Sequence, residues 1–316
     1  MNMLWTNAVA PSTRCTYQTA FHVYVKFLLL SNIITTVCIS EVHVTEDYLI
    51  SFVAYCVSKL QISYSTIKLY LCGVKFMCLQ NNINYPDNSQ LCRLKAIMNG
   101  VKRVQLPSRS LRYPVTFDIL RRACFYLRKV DNFYNLMLET VCTVAFFGFL
   151  RCGEFTCKEA FDPSIHLCMS DLSIFEDYVH LQLKISKTDP FRKGVIIKLF
   201  STDNVICPFT ICCKYLKARY KLSCSSQSPL FVNQNGDPLS RAEFISAFKH
   251  VLTCIGCDAD VYNGHSFRIG AATTAASVHL EDHVIKVLGR WSSDAYCRYI
   301  RTPVSVLREA QRSLVL

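Results

Sequence analysis

The sequence predicts a mainly α-helical protein with one small antiparallel β-sheet, an α+β fold divided into two domains. Apolar residues recur at helical spacing through most of the 316 residues. Between residues 171 and 200 they alternate instead, as they do in a strand that buries one face. A basic, proline-flanked stretch without apolar periodicity separates the first third of the chain from the rest, which indicates a linker at 105–114.

Four helices are predicted in the first domain, residues 1–104. Ser12 or Thr13, Thr45 and Ser63 stand just before three apolar-periodic runs, where a side-chain oxygen can cap a helix. A shorter fourth helix follows residues 86–90. Because each helix has an apolar face to bury, the four are expected to form a small bundle.

The second domain, residues 115–316, is predicted to hold the sheet and the remaining helices. Thr116 caps its first helix, and residues 133–149 are apolar almost all round, which is typical of a buried central helix. Strands then flank a polar turn at 186–193. Further helices are expected at 208–220, 241–255, 266–278, 282–288, 293–300 and 305–316.

Composition limits the class of protein. Hydrophobic residues make up 51% of the chain and charged residues 18%, which excludes a disordered tail protein. The apolar stretches are too short to span a membrane, and the polar N-terminus does not resemble a secretion signal. We therefore expect an intracellular protein whose 18 cysteines are reduced thiols. The net charge of +12 indicates a polyanionic partner.

Three short motifs in the second domain carry candidate chemistry. Arg151 and Glu154 follow the apolar helix, where a buried guanidinium needs a partner. His265 and Arg268 share one face at a predicted helix start, where the helix dipole favours an anion. Near the C-terminus, the stretch LGRWSSDAYCRYIR supplies hydrogen-bond donors and two tyrosines, one of which could be a nucleophile.

In their order along the chain, these motifs resemble the tyrosine recombinase family, which includes phage integrases, Xer proteins and the Cre and Flp recombinases. The stretches SKTDPFRKG and LGRWSSDAYCRYIR are most similar to its eukaryotic mobile-element branch, the DIRS-like and crypton-like elements. The resemblance covers residues 115–303 as the catalytic domain and makes the N-terminal helices a SAM-like core-binding domain. It implies a catalytic set, with Glu154 in support, of Arg151, Lys187, His265, Arg268 and Tyr299.

The family's His or Trp position and the nucleophile each have two candidates. Arg290 stands nine residues before Tyr299, at the family's His or Trp position, whereas Trp291 stands eight residues before it. Similarity to the GRW sequences of mobile elements favours Trp291 as the residue that donates a hydrogen bond to the phosphate. Tyr296 competes with Tyr299 as the nucleophile, although a packing role suits it better.

The resemblance implies strand exchange without a metal or a cofactor. The tyrosine would attack a DNA phosphodiester, two arginines would hold its non-bridging oxygens, and a covalent 3′-phosphotyrosyl link would conserve the bond for rejoining. Lys187, or Lys193 in its place, would protonate the departing 5′ oxygen. The implied partners are double-stranded DNA and further copies of the chain in a homotetramer, and a eukaryotic member would act in the nucleus.

Contacts to the DNA backbone are predicted in the first domain. Basic and aromatic residues interleave at Lys68 and Tyr70, and Lys102 and Arg103 follow near the end of the fourth helix. A solvated basic face, with no DNA contact, is an equally simple interpretation of these four residues.

Two other functions fit the same residues. One is a domesticated DNA-binding protein that has lost turnover, and the other is a relaxing enzyme similar to type IB topoisomerases. A zinc site is not favoured, because Cys254 and Cys257 form a single CxxC without a second pair. His279 and His283 lack the order of residues found in metalloproteases and are interpreted as helix surface.

Overall fold

The computed structural model describes residues 2–105, 112–186, 189, 193–302 and 304–314. Two compact units make up the chain, Met1–Arg109 and Ser110–Leu316, and each has a hydrophobic core of its own. The division falls within the predicted linker 105–114, most of which lies outside the described residues.

Helices account for most of the first unit. They are α1 (Asn2–Asn7), α2 (Pro11–Leu30), α3 (Glu46–Ser58), α4 (Tyr64–Gln80) and α5 (Cys92–Val104). Aromatic side chains fill the centre of the unit, where the rings of Tyr24 and Phe52 meet edge to face with centroids 5.2 Å apart. The predicted helical bundle is therefore present, with the six-residue α1 added to the four helices expected.

The helix starts in this unit agree with the sequence at two places and differ at one. The hydroxyls of Thr45 and Ser63 accept hydrogen bonds from the first turns of α3 and α4, as predicted. The prediction for α2 was wrong, because that helix begins at Pro11, one or two residues before the expected caps. Proline suits the first turn, since its missing N–H would have no partner there.

The second unit contains eight further helices and three strands among the residues described. The helices are α6 (Phe117–Leu127), α7 (Phe133–Phe147), α8 (Cys152–Phe155), α9 (Pro208–Tyr220), α10 (Arg241–Cys254), α11 (Ser266–Ser277), α12 (Asp282–Gly289) and α13 (Val304–Ser313). The strands are β1 (Leu172–Ile174), β2 (Tyr178–Leu183) and β3 (Val195–Phe200).

The central helix of the second unit is α7. Its residues from Met137 to Phe146 are all buried, and α6, α9 and α11 pack around it. Its one buried carboxylate, Glu139, is paired with Arg128 at 2.6 Å. The prediction of a helix surrounded by the core is confirmed, and the C-terminal end of α7 consequently lies deep inside the unit.

The sheet is antiparallel with the strand order β1-β2-β3. Leu181 pairs with Leu172 on one side and with Ile197 on the other, so one face of the sheet is packed into the core. The predicted fold class is confirmed. Of the predicted turn at 186–193, residues 187, 188 and 190–192 lie outside the described residues.

The helix predicted at 293–300 is present, but it is not an α-helix. The chain forms a short 3-10 helix, Asp294–Arg298, and the N–H of Tyr299 bonds to the carbonyl of Tyr296 at 2.8 Å. The hydroxyl of Thr273 on α11 donates to the carbonyl of Tyr299 and accepts from the N–H of Arg301, both at 3.2 Å. These tertiary bonds take the backbone groups that a longer α-helix would pair internally.

Two composition-based expectations concern membrane spans and cysteines. None of the helices within the described residues is long and apolar enough to cross a membrane. All eighteen cysteines fall inside the described ranges, and each is a free thiol, as predicted.

Replacing Gly270 with alanine should destabilise the second unit, because its added methyl group would lie 1.7 Å from the carbonyl oxygen of Val115. Backbone cannot yield as a flexible side chain can, so we expect a loss near the top of the overpacking range, about 3 kcal/mol. Chemical denaturation measures it. Gly153→Ala, which meets no atom within 4 Å, is the matched control, and equal midpoints for the two variants would contradict the prediction.

Candidate active site

Two helix ends bring backbone carbonyls to the centre of the second unit. The last carbonyls of a helix have no partner within it, and they lie at the negative end of the helix dipole. After α7, the carbonyl of Phe149 accepts from Arg268 Nη1 at 2.5 Å, and the carbonyl of Gly148 accepts from Arg290 Nη1 at 2.8 Å. At the end of α12, the carbonyl of Gly289 accepts from Arg268 Nη2 at 2.5 Å.

Arg268, on the first turn of α11, is completely buried. Burial lowers the pKa of its guanidinium to about 9, and the like charges of Arg151 and Arg290 contribute to the same shift. Its Nε has no hydrogen-bond partner among the described residues. A buried cation with an unused donor is suited to bind an anion, because the anion would offset both the desolvation and the repulsion.

Arg151 and Glu154 form the predicted pair, at the start of α8. Arg151 donates to Glu154 twice, from its backbone N–H at 2.9 Å and from Nη1 at 2.8 Å. Nη1 also lies 3.4 Å from the hydroxyl oxygen of Ser186, just before the turn of the sheet. The pair is therefore an internal one and differs from the exposed ion pairs that contribute little.

Arg290 takes the second oxygen of the same carboxylate. Its Nη2 lies 3.0 Å from Glu154 Oε2, and the two side chains are 11% and 6% exposed. Arg290 has a φ of 56°, so the chain turns left-handed directly after α12 and carries the guanidinium inward. Glu154 thus joins two arginines that are distant in sequence.

Trp291 connects the arginines to the predicted nucleophile. Its ring centroid lies 4.3 Å from the guanidinium carbon of Arg268 and 5.4 Å from the ring of Tyr299. A Cβ at Gly289 would lie 1.6 Å from the indole, so only glycine permits this approach. The Trp291 ring thus contacts both the buried arginine and Tyr299.

The two candidate tyrosines have different surroundings. Tyr299 is half-buried at the end of the 3-10 helix. Tyr296 is 3% exposed, and Lys286 Nζ lies 5.4 Å from its ring centroid. A hydrogen bond with Asp282 and burial raise the pKa of Tyr296. Tyr296 is thus held by packing, whereas Tyr299 faces the arginine cluster through Trp291.

His265 precedes α11 and is surrounded by cations. Burial lowers its pKa below the ordinary value, and the charges of Arg112, Arg241, Arg151 and Arg268 lower it further. Its Nδ1 is buried and has no hydrogen-bond partner in the part of the chain that the structure describes. The neutral imidazole favoured here can accept a proton.

Arg112 and Arg241 were not found from the sequence. Neither belongs to a motif, because Arg112 precedes the first helix of the unit and Arg241 begins α10. A periodicity argument identifies elements, and it does not show which loops meet in space. A cavity of about 250 Å³ lies beside Arg241. Its polar and charged lining residues include Arg151, Glu154, Ser186, Arg241 and His265.

Three lysines in or near the sheet differ in their surroundings. Lys187, the predicted acid, lies outside the described residues, and its alternative Lys193 is exposed. Lys184 is half-buried, and its ammonium group lies 2.6 Å from the carboxylate of Asp171. Lys184 is therefore engaged in the fold and is not a candidate acid.

The predicted DNA contacts of the first unit lie on α4 and α5. Lys68, Lys102 and Arg103 are exposed, and none forms an ion pair with another described residue. Tyr70 is half-buried and packs on the core of that unit. For the second unit, no cluster of three or more His, Cys, Asp or Glu side chains suited to a metal ion occurs within the described ranges.

Solved structures share this architecture. The XerH recombinase, in a post-cleavage complex with a palindromic difH substrate, matches with a TM-score of 0.64 at 16% identity over 95% of this chain and 78% of that one. The lambda integrase dimer bound to a COC′ core site gives 0.54 at 14% identity, over 95% and 74%. The chain has the tyrosine recombinase fold.

A third structure with this fold is the Tn1549 transposon integrase in complex with transposon right-end DNA, with a TM-score of 0.55 at 14% identity over 86% of each chain. No family model and no curated protein matches the sequence. The resemblance inferred from motifs is thus supported at the level of fold. The assignment to the eukaryotic mobile-element branch stays a prediction.

Arg241→Gln should raise the pKa of His265 towards the value of an exposed histidine, because it removes one of the positive charges that disfavour the imidazolium. An NMR titration of the His265 ring measures the shift. Since the folded state prefers the neutral ring, the free energy of unfolding should also fall as pH drops below about 6.5. That fall should be smaller in the variant.

The control is Arg121→Gln, which removes an exposed arginine paired with Asp118 and not among those acting on His265. An unchanged titration in Arg241→Gln, or an equal shift in both variants, would contradict the prediction.

Proposed function

We propose that the protein is a site-specific tyrosine-type DNA recombinase or integrase, which cuts and rejoins DNA strands through Tyr299. One observation carries the proposal. In a unit with the tyrosine recombinase fold, Trp291 joins Tyr299 to the buried Arg268, around which Arg151 and His265 also lie. The cluster has more positive than negative charge among its described residues, as expected of a site that binds a phosphodiester.

Phosphate binding follows from the two arginines. A phosphodiester under attack concentrates negative charge on its two non-bridging oxygens, and a guanidinium can hold such oxygens in a fixed fork. Arg151 is oriented by Glu154, and Arg268 is fixed by the carbonyls of Phe149 and Gly289. Groups that are positioned in advance do not have to reorganise as the charge develops.

The covalent step uses the tyrosine and a proton relay. Tyr299 Oη forms a bond to phosphorus as the bond from phosphorus to the 5′ oxygen breaks. The proton of Tyr299 passes to the neutral His265, and Lys187 gives a proton to the departing 5′ oxygen. The product is a 3′-phosphotyrosyl link and a free 5′ hydroxyl, and reversal with a new 5′ hydroxyl rejoins the strands without a cofactor.

The partner of this chemistry is double-stranded DNA. The basic side chains Lys68, Lys102 and Arg103 are exposed and available to its backbone. XerH is bound to difH in structures before and after cleavage, and the lambda integrase dimer is bound to a core site. For this chain we propose a homotetramer on two paired sites, acting inside the cell and, in a eukaryote, in the nucleus.

Covalent trapping tests the function. The protein is incubated with a randomised library of nicked duplexes that lose the leaving strand, and adducts resistant to SDS are sequenced. We expect an adduct with the wild type and with Tyr296→Phe, and none with Tyr299→Phe, because only the latter lacks the attacking oxygen. The sequenced adducts also give the target site.

An adduct that survives Tyr299→Phe and disappears in Tyr296→Phe would move the nucleophile to Tyr296. DNA binding without any adduct would favour the inactive DNA-binding protein. Relaxation of supercoils without exchange of strands would favour the topoisomerase-like enzyme.

Removing residues 304–316 should weaken assembly on DNA. Leu307 in α13 is 52% exposed, and Leu314 directly after the helix is 84% exposed, so both can supply apolar surface to a neighbouring copy. We expect complexes of lower stoichiometry in analytical ultracentrifugation, with binding of one copy to DNA retained. Substitution of the exposed Arg312 by Gln is the control, and unchanged assembly after the deletion would refute this role.

A further inference from the structure

Both terminal nitrogens of the Arg290 guanidinium are bonded to the protein itself, whereas its Nε, like that of Arg268, has no hydrogen-bond partner among the described residues. Nη1 donates to the carbonyl of Gly148 at 2.8 Å, and Nη2 donates to Glu154 Oε2 at 3.0 Å and to the carbonyl of Phe149 at 3.4 Å. Its side chain is 11% exposed. A guanidinium has five donors in a rigid plane, so bonds that fix both terminal nitrogens fix the whole group.

The groups that Arg290 holds are those that orient the other two arginines. Glu154 Oε1 lies 2.8 Å from Arg151 Nη1, while Glu154 Oε2 lies 3.0 Å from Arg290. The carbonyl of Phe149 accepts from both Arg290 and Arg268. Arg290 is thus bonded to one anchor of each predicted phosphate ligand.

The end of α12 is built to produce this orientation. Arg290 has a left-handed backbone with φ 56° and ψ 46°. Residues other than glycine adopt this conformation at a cost in free energy. Gly289 before it leaves room for the Trp291 ring. To turn outward to DNA, Arg290 would have to release the carboxylate and both carbonyls, and Glu154 would then keep Arg151 and the hydroxyl of Ser186.

We propose that Arg290 is a positioning residue: it braces Glu154, and through it Arg151, and fixes the Phe149 carbonyl that anchors Arg268, while the phosphate is left to Arg151 and Arg268. The inference rests on the proposed function. It separates two residues that compete for one role in the sequence, because Arg290 is turned towards the protein while Trp291 lies against Arg268 and Tyr299.

The first test compares a phosphodiester with a methylphosphonate at the scissile position found by adduct sequencing. The methyl group removes the negative charge that a direct guanidinium ligand neutralises. Arg151→Ala and Arg268→Ala should slow single-turnover cleavage of the phosphodiester by about 100-fold or more and regain rate on the methylphosphonate. On the phosphodiester, Arg290→Gln should lose about 10- to 100-fold, with partial recovery in Arg290→Lys. Added to Arg151→Ala, it should cost less than it costs alone, because a brace acts through the residue that is already removed.

The matched control is Arg128→Gln. Arg128 is also partly buried, is paired with the carboxylate of Glu139 at 2.6 Å and donates to the carbonyl of Val205 at 3.0 Å, outside the site. The Arg128→Gln variant should have a lower midpoint of unfolding and an unchanged cleavage rate in the folded protein. A purely structural role for Arg290 would give the same pattern and would overturn the proposal.

The second test needs no activity. Midpoints of unfolding are compared for Arg290→Gln, Glu154→Gln and the double variant. A brace predicts that the double variant loses less than the sum of the single losses, whereas additive losses would contradict it. If the wild type forms no adduct, the proposed function fails, and this cycle still decides whether Arg290 braces Glu154. A full additional loss when Arg290→Gln is combined with Arg151→Ala would instead make Arg290 a direct ligand.

Discussion

Three guanidinium groups, two of them bonded to a single carboxylate, lie close together in a space largely withdrawn from water, and this excess of positive charge dominates the centre of the second unit. Burial and mutual repulsion lower the pKa values of Arg268 and Arg290. Glu154 offsets part of the excess, and the face of Trp291 supplies a further attraction for Arg268. A positive charge remains unmatched. An anion that bound there would therefore stabilise the folded unit as well as become oriented by it.

The carbonyls that hold these arginines depend on the central helix. Since α7 is buried on every side, its C-terminal end lies inside the unit. The last carbonyls of the helix have no partner within it, and water cannot reach them there. Donors must come from the protein, and the planar fork of arginine can serve two carbonyls at once. The burial of α7 by apolar residues thus requires cationic donors at its C-terminal end. One of them, Arg290, is separated in sequence from its acceptor Gly148 by most of a domain.

Much of the fold was predictable, because periodicity reports which face of an element is buried. The apolar α7 and the alternating strands around Leu181 gave clear signals. The resemblance of motifs also pointed to residues that do lie close together in the second unit. The short helices α1 and α8 were missed, since six and four residues carry little periodicity. The 3-10 form of Asp294–Arg298 was missed because bonds to Thr273 set it. The inward turn of Arg290 follows from a left-handed backbone that residue type does not encode.

The hydroxyl of Thr273 has a mechanical consequence. It bonds to the carbonyl of Tyr299 and to the N–H of Arg301, directly after the Tyr299 side chain, and it belongs to α11, the helix that also carries Arg268. Five residues of one helix, about 7.5 Å of rise, therefore set the spacing between the buried arginine and the tyrosine backbone. In the proposed covalent state, tension along the attached strand would load α11 directly, so the nucleophile and the arginine would shift as one rigid piece and keep their alignment for resealing.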